Sequence, residues 1–104
     1  MNKSLLNEMT CTFTAVSENE SFARTIAASF IWQASPTVSQ LADVKCAVSE
    51  AVTNCIVHAY PPDFPGKRFV KMTISRFDDN SVIITISDKG IGIPDVEAAR
   101  APLY

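Results

Sequence analysis

Two stretches of the sequence carry side chains able to do chemistry. The first is Glu50 with Asn54, four positions apart and so about 40° from one another on a helix that turns ~100° per residue. A carboxylate and a carboxamide stacked on one helical face can together reach one ligand or one hydrated cation. The same spacing also describes an ordinary solvated face. The neighbourhood weakens that plainer reading: Ser49, Thr53 and Cys55 are short, and no Lys or Arg falls between Ala47 and His58. A solvated face normally carries more long charged side chains.

The second stretch is Asp88-Lys89-Gly90-Ile91-Gly92-Ile93-Pro94, placed where an apolar run ends. Glycines two apart permit positive φ and let the backbone approach a ligand closely. An Asp at the exit of a strand can accept a hydrogen bond from an amino group entering a pocket. The competing reading is a tight turn with a cap. The third glycine and the βαβ frame of a dinucleotide-binding fingerprint are missing. Cys55 and His58 stand at i, i+3 spacing, but without a second ligand pair they do not amount to a metal site.

These residues need elements to hold them. Alternation from Glu8 to Val16, with Met9, Cys11, Phe13 and Ala15 on one face and threonines on the other, predicts a strand with one buried face. Ser17 and Glu20 have capping-box spacing and open a helix whose stripe is Phe22, Ile26, Ala27, Phe30 and Ile31, ending near Ala34 before Pro36. Thr37 and Gln40 repeat the box and open a longer helix striped by Leu41, Val44, Val48, Ala51, Val52 and Cys55, running to about His58. Pro61 to Lys67 is loop. Arg68 to Phe77 and Ser81 to Ser87 read as strands joined by Asp78-Asp79-Asn80, the second apolar at almost every position and therefore central. Asp95 can cap a short helix from Val96 to Arg100. The implied architecture is an α+β two-layer sandwich, a mixed but mostly antiparallel sheet with helices on one face, in a single domain spanning 1–104.

Composition sets outer bounds. An apolar fraction of 47% with 19% charged residues fits a globular chain. The net charge of −2 and scattered basic residues form no stripe for nucleic acid. Residues 1–10 contain no apolar run of signal-peptide length, and no stretch reaches the ~18 apolar residues of a membrane span. The expectation is a cytoplasmic protein, with Cys11, Cys46 and Cys55 as buried free thiols.

A helix bearing E-x-x-x-N, then loop and hairpin, then a strand ending in D-x-G-x-G resembles the GHKL (histidine-kinase-like) ATPase family. Three further segments are similar to one branch of it, the anti-sigma-F serine kinases of spore-forming bacteria. They are Glu18-Asn19-Glu20-Ser21-Phe22-Ala23-Arg24, Ala47-Val48-Ser49-Glu50-Ala51-Val52-Thr53-Asn54, and Glu97-Ala98-Ala99-Arg100-Ala101-Pro102-Leu103. The resemblance runs from about Glu8 to Tyr104. It implies that Glu50 is the general base acting on a serine hydroxyl of a protein substrate. Asn54 would hold the Mg²⁺ that bridges the phosphates of ATP (or ADP), since positioning and charge neutralisation dominate phosphoryl transfer. Asp88 would accept from the adenine amino group, and Gly90 and Gly92 would shape its pocket. Thr53 and His58 would play supporting parts.

The resemblance also implies partners: a sporulation sigma factor, and an anti-anti-sigma factor as protein substrate. Glu20 and Arg24 would contact them, although at i, i+4 the two can simply pair with each other. A homodimer is implied, with the first strand or the first helix at its interface. The family pattern continues past the first glycine turn with a lid and a second glycine-rich motif that binds phosphate. The 104 residues end at Pro102-Leu103-Tyr104 without them, matching the N-terminal two-thirds of such a kinase. Weak nucleotide binding, inefficient transfer and self-association over uncovered sheet are therefore expected. The alternatives are a non-catalytic sigma-factor-binding module and the ATP-binding piece of a histidine kinase.

Overall fold

The computed structural model describes residues 3–60, 62–88 and 96–102. Four strands form one antiparallel sheet in the order β1-β2-β3-β4, with β1 Leu5–Thr14, β2 Phe69–Phe77, β3 Ser81–Asp88 and β4 Val96–Pro102. Two helices, α1 Glu18–Ile31 and α2 Val38–Asn54, lie between β1 and β2 in sequence. The predicted α+β sandwich is what the chain adopts, and β3 is central as its apolar run requires.

Register explains the division of the sheet into two faces. Phe13 opposes Val70, and Val70 opposes Asp88; Cys11 opposes Met72, which opposes Ile86. Directly opposed residues share a face, so Cys11, Phe13, Val70, Met72, Ile74, Val82, Ile84 and Ile86 all face the helices. From the other side come Ala23, Ala27, Phe30, Ile31, Val44, Val48 and Val52, all buried. Each fully buried Val or Ile in this layer contributes about 1.5–3 kcal/mol relative to exposure. The opposite face is polar, with Thr10 Oγ 3.1 Å from Thr73 Oγ and Ser75 Oγ donating to Glu8 Oε2 at 2.6 Å.

Several local expectations are corrected. The stripe of α1 is centred on Ala23 and Ala27, and Phe22 stands exposed, because two alanines allow a close approach that one bulky ring would block. Only one of the two capping boxes closes. Thr37 is extended (φ −70, ψ 163); its hydroxyl accepts from the Gln40 N–H at 3.1 Å, and Gln40 Oε1 accepts from the Thr37 N–H at 2.8 Å. Ser17 is instead in the helical region (φ −60, ψ −30), so the Glu20 N–H bonds the Ser17 carbonyl and the hydroxyl cannot reach it. Asn19 Nδ2, donating to Thr14 O at 2.9 Å, secures that turn.

β1 begins three residues before the alternating pattern, since β2 is long enough to pair back to Leu5. The short helix expected over Val96–Arg100 is a strand. Fewer than two turns cannot repay helix nucleation, whereas the free side of β3 offers an antiparallel ladder from Ser81 to Ile86, interrupted by one irregularity between Ile84 and Thr85, and Pro102 falls at the end of an edge strand where it is tolerated. Asp95, its expected cap, lies outside the described residues. The hairpin turn between β2 and β3 places Asn80 at φ 65, a left-handed position that Asn accepts more readily than most residues.

Candidate functional site

The apolar stripe of α2 decides where its polar residues point. With Val44, Val48 and Val52 against the sheet, Glu50 and Asn54 emerge exposed, and Asn54 is the last residue of the α-helix. The helix does not stop there. Cys55–Ala59 continues as a π-turn, a distortion frequent at functional sites. Tyr60 then ties its exit to β2: the phenol donates to Phe69 O at 2.6 Å and accepts from Phe69 N at 3.2 Å. Phe64 packs edge-on against Tyr60, centroids 4.8 Å apart.

Asp88 ends β3 in phase with Ile84 and Ile86, so its carboxylate enters the helix-facing side of the sheet and is only 8% exposed. There it meets α2. Cys55 Sγ donates to Asp88 Oδ2 at 3.6 Å, and Cys55 is itself 6% exposed. Burial pushes the Cys55 thiol up to about 12; the Asp88 charge and the hydrogen bond act in the same direction. At neutral pH the sulfur therefore carries its proton and is a donor, not a nucleophile.

This contact brings together the two stretches singled out in the sequence. The end of α2, with Glu50 and Asn54 in solvent, abuts the end of β3, with Asp88 buried. Gly90 and Gly92 lie outside the described residues. An acceptor carboxylate on the buried side, with a carboxamide and a second carboxylate on the open side, can hold a ligand with an amino group at one end and a cation-bearing charged group at the other. His58 is exposed while Cys55 is buried against Asp88. Among the described residues no group of three His, Cys, Asp or Glu side chains could hold a metal ion.

Cys55 was not expected to touch Asp88, yet the signal was in the sequence. It occupies the apolar stripe of α2, and Asp88 falls on the buried phase of its strand, so both had to face the same layer. Cys46 corrects the expectation of buried thiols. It is exposed, two positions beyond Val44 and so about 200° around the helix from it.

Glu20 and Arg24 sit elsewhere. They approach to 4.0 Å and line a groove of about 580 Å³ between α1 and α2 together with Thr25, Ala42, Lys45, Cys46 and Ser49. Ser49 Oγ is buried in this region without a hydrogen-bond partner among the described residues. At this exposure the Glu20–Arg24 pair is worth a few tenths of a kcal/mol, about what an i, i+4 pair on a helix surface supplies. No helix among the described residues is long and apolar enough to cross a membrane.

Residues 13–103 match the histidine kinase-like ATPase domain. The chain is 49% identical over 98 residues to the anti-sigma F factor of Bacillus licheniformis, 50% to that of Bacillus velezensis and 49% to that of Bacillus subtilis. Each alignment covers 94% of this chain and 65% of the relative, so the chain spans about two-thirds of the length of the proteins it is similar to.

Proposed function

The chain belongs to the histidine kinase-like ATPase domain family, and from that premise we propose that it is the nucleotide-binding part of an anti-sigma factor that is also a serine protein kinase. The observation that carries the reading is the Cys55–Asp88 contact, which supports it by bringing the end of the Glu50–Asn54 helix against the end of the Asp88 strand. The similarity to anti-sigma F factors supports the choice of partner class.

The residues present fit ATP or ADP with Mg²⁺. A buried carboxylate suits an amino group entering from solvent, and a carboxamide oxygen is a suitable hard ligand for Mg²⁺. Asp88 accepts the hydrogen bond of the adenine amino group, and Gly90 and Gly92 shape the adenine pocket. Asn54 would hold the Mg²⁺, which when bound would neutralise charge on the phosphates. Glu50, exposed one turn before Asn54, orients the serine hydroxyl of the protein substrate and takes its proton. Thr53 and His58, both exposed on the same segment, have supporting parts.

The substrate is an anti-anti-sigma factor, and the sequestered protein is a sporulation sigma factor. Both dock through the α1 face, where Glu20 and Arg24 line the groove. The protein acts in the cytoplasm as a homodimer, with the edge strand β1, which exposes Leu5 and Leu6, or α1 at its interface.

Incubation with Mg-ATP and an anti-anti-sigma protein tests the kinase reading. Glu50→Gln should abolish serine phosphorylation and leave nucleotide binding intact; undiminished phosphorylation would overturn the role of Glu50. The groove supports one rival, a sigma-binding module that works without ATP. Capture of a sigma factor that is lost in Arg24→Ala yet indifferent to nucleotide and to Asn54→Ala would favour the rival.

A further inference from the structure

We propose that Cys55 is a positioning residue for nucleobase recognition: its thiol holds the Asp88 carboxylate in the orientation that accepts the amino group of an adenine. The inference rests on the nucleotide-site reading above, where Cys55 serves only to show that α2 and β3 meet, and gives that residue a part in binding.

Polarity fixes the direction of the contact. An ionised carboxylate only accepts hydrogen bonds, so at 3.6 Å the Cys55 S–H is the donor to Asp88 Oδ2. Both groups are more than nine-tenths buried, and a buried carboxylate keeps one orientation only where donors hold it. The backbone supports this placement. Cys55 is the first residue of the π-turn, and its own N–H still bonds Ala51 O and Val52 O, so the side chain issues from a fixed point at the end of α2. The strand contributes equal rigidity, since Asp88 pairs with Val70 in the ladder.

Base selection follows from that rigidity. A held carboxylate receives an exocyclic N–H and repels a carbonyl oxygen in the same place, which is the difference between adenine and hypoxanthine. A site that hydrogen-bonds a ligand N–H discriminates strongly against analogues that lack it. If the carboxylate can swing away, the repulsion and the attraction both weaken, and the preference falls.

The test is a set of titrations with ATP and with inosine triphosphate. They use the wild-type chain, Cys55→Ala, Cys55→Ser and the same substitutions in Asp88→Asn. Cys55→Ala should reduce the preference for ATP about two- to tenfold, the range of one hydrogen bond, and Cys55→Ser, which keeps a donor, should restore most of it. In Asp88→Asn, changing Cys55 should alter the preference no further. Infrared difference spectra give a readout independent of ligand: the S–H stretching band lost in Cys55→Ala should shift in Asp88→Asn. An unchanged preference in Cys55→Ala, with Asp88→Asn losing it, overturns the inference and leaves the site reading intact. Equal losses in the Ala and Ser variants also overturn it, since they would show packing rather than hydrogen bonding. Absence of ATP binding in the wild-type chain overturns both.

Discussion

At its N-terminus α2 satisfies its own backbone locally: Thr37 and Gln40 exchange two hydrogen bonds three residues apart. At its C-terminus the helix relaxes into a π-turn, leaves Glu50 and Asn54 in solvent, and relies on Cys55 reaching Asp88, 33 positions away in sequence. The first end is a stability device that any helix can use. The second departs from regular helical geometry and gathers side chains from separate elements, as functional sites do at some cost to local consistency. Nucleotide binding should therefore be sensitive to one end and stability to the other.

Substitutions can break that contrast. The largest effect belongs to Asp88→Asn, which replaces a charged acceptor with an amide. ATP affinity should fall about ten- to a hundredfold, the range for a hydrogen bond to a charged group, while calorimetry shows a folded protein. Asn54→Ala should lower affinity about tenfold in Mg²⁺ and little in its absence, because the carboxamide serves the ion; titrations with and without Mg²⁺ check this. At the opposite end, Thr37→Ala should cost about 1 kcal/mol. That lowers Tm by roughly 4–8 °C for a domain of this size, with nucleotide affinity unchanged. Ser17→Ala has the smallest effect, within about 0.5 kcal/mol, because the Ser17 hydroxyl makes no cap bond. If Ser17→Ala matched Thr37→Ala in a thermal melt, the difference between the two boxes would be void.

Those two boxes also show what a sequence can express. Their spacing is the same, yet a capping box needs an extended residue at the cap. Whether Ser17 could be extended depended on the turn after β1, where pairing persists through Ala15 N to Arg68 O at 3.0 Å. That pairing is non-local and invisible in the motif. β4 was lost for the same reason, since Val96–Arg100 carries good helix formers and only the open side of β3 made it a strand. Conversely, the α2 stripe and the β2–β3 hairpin were legible because local pattern and tertiary contact agree there. The candidate site was legible as residue types and spacing. Its closure could be read only by combining two phases, since the Cys55–Asp88 bond joins the apolar stripe of α2 to the buried phase of β3 across the whole hairpin.

The central claim is that Asp88 and the end of α2 form one nucleotide site, and the most direct measurement is an NMR titration of the chain with Mg-ATP. It should show saturable shifts concentrated at Glu50, Asn54, Cys55 and Asp88, absent from the Glu20–Arg24 groove, and in Asp88→Asn they should appear only at about ten- to a hundredfold higher ATP. Shifts at the same ATP in wild type and Asp88→Asn, or none at the end of α2, would contradict it.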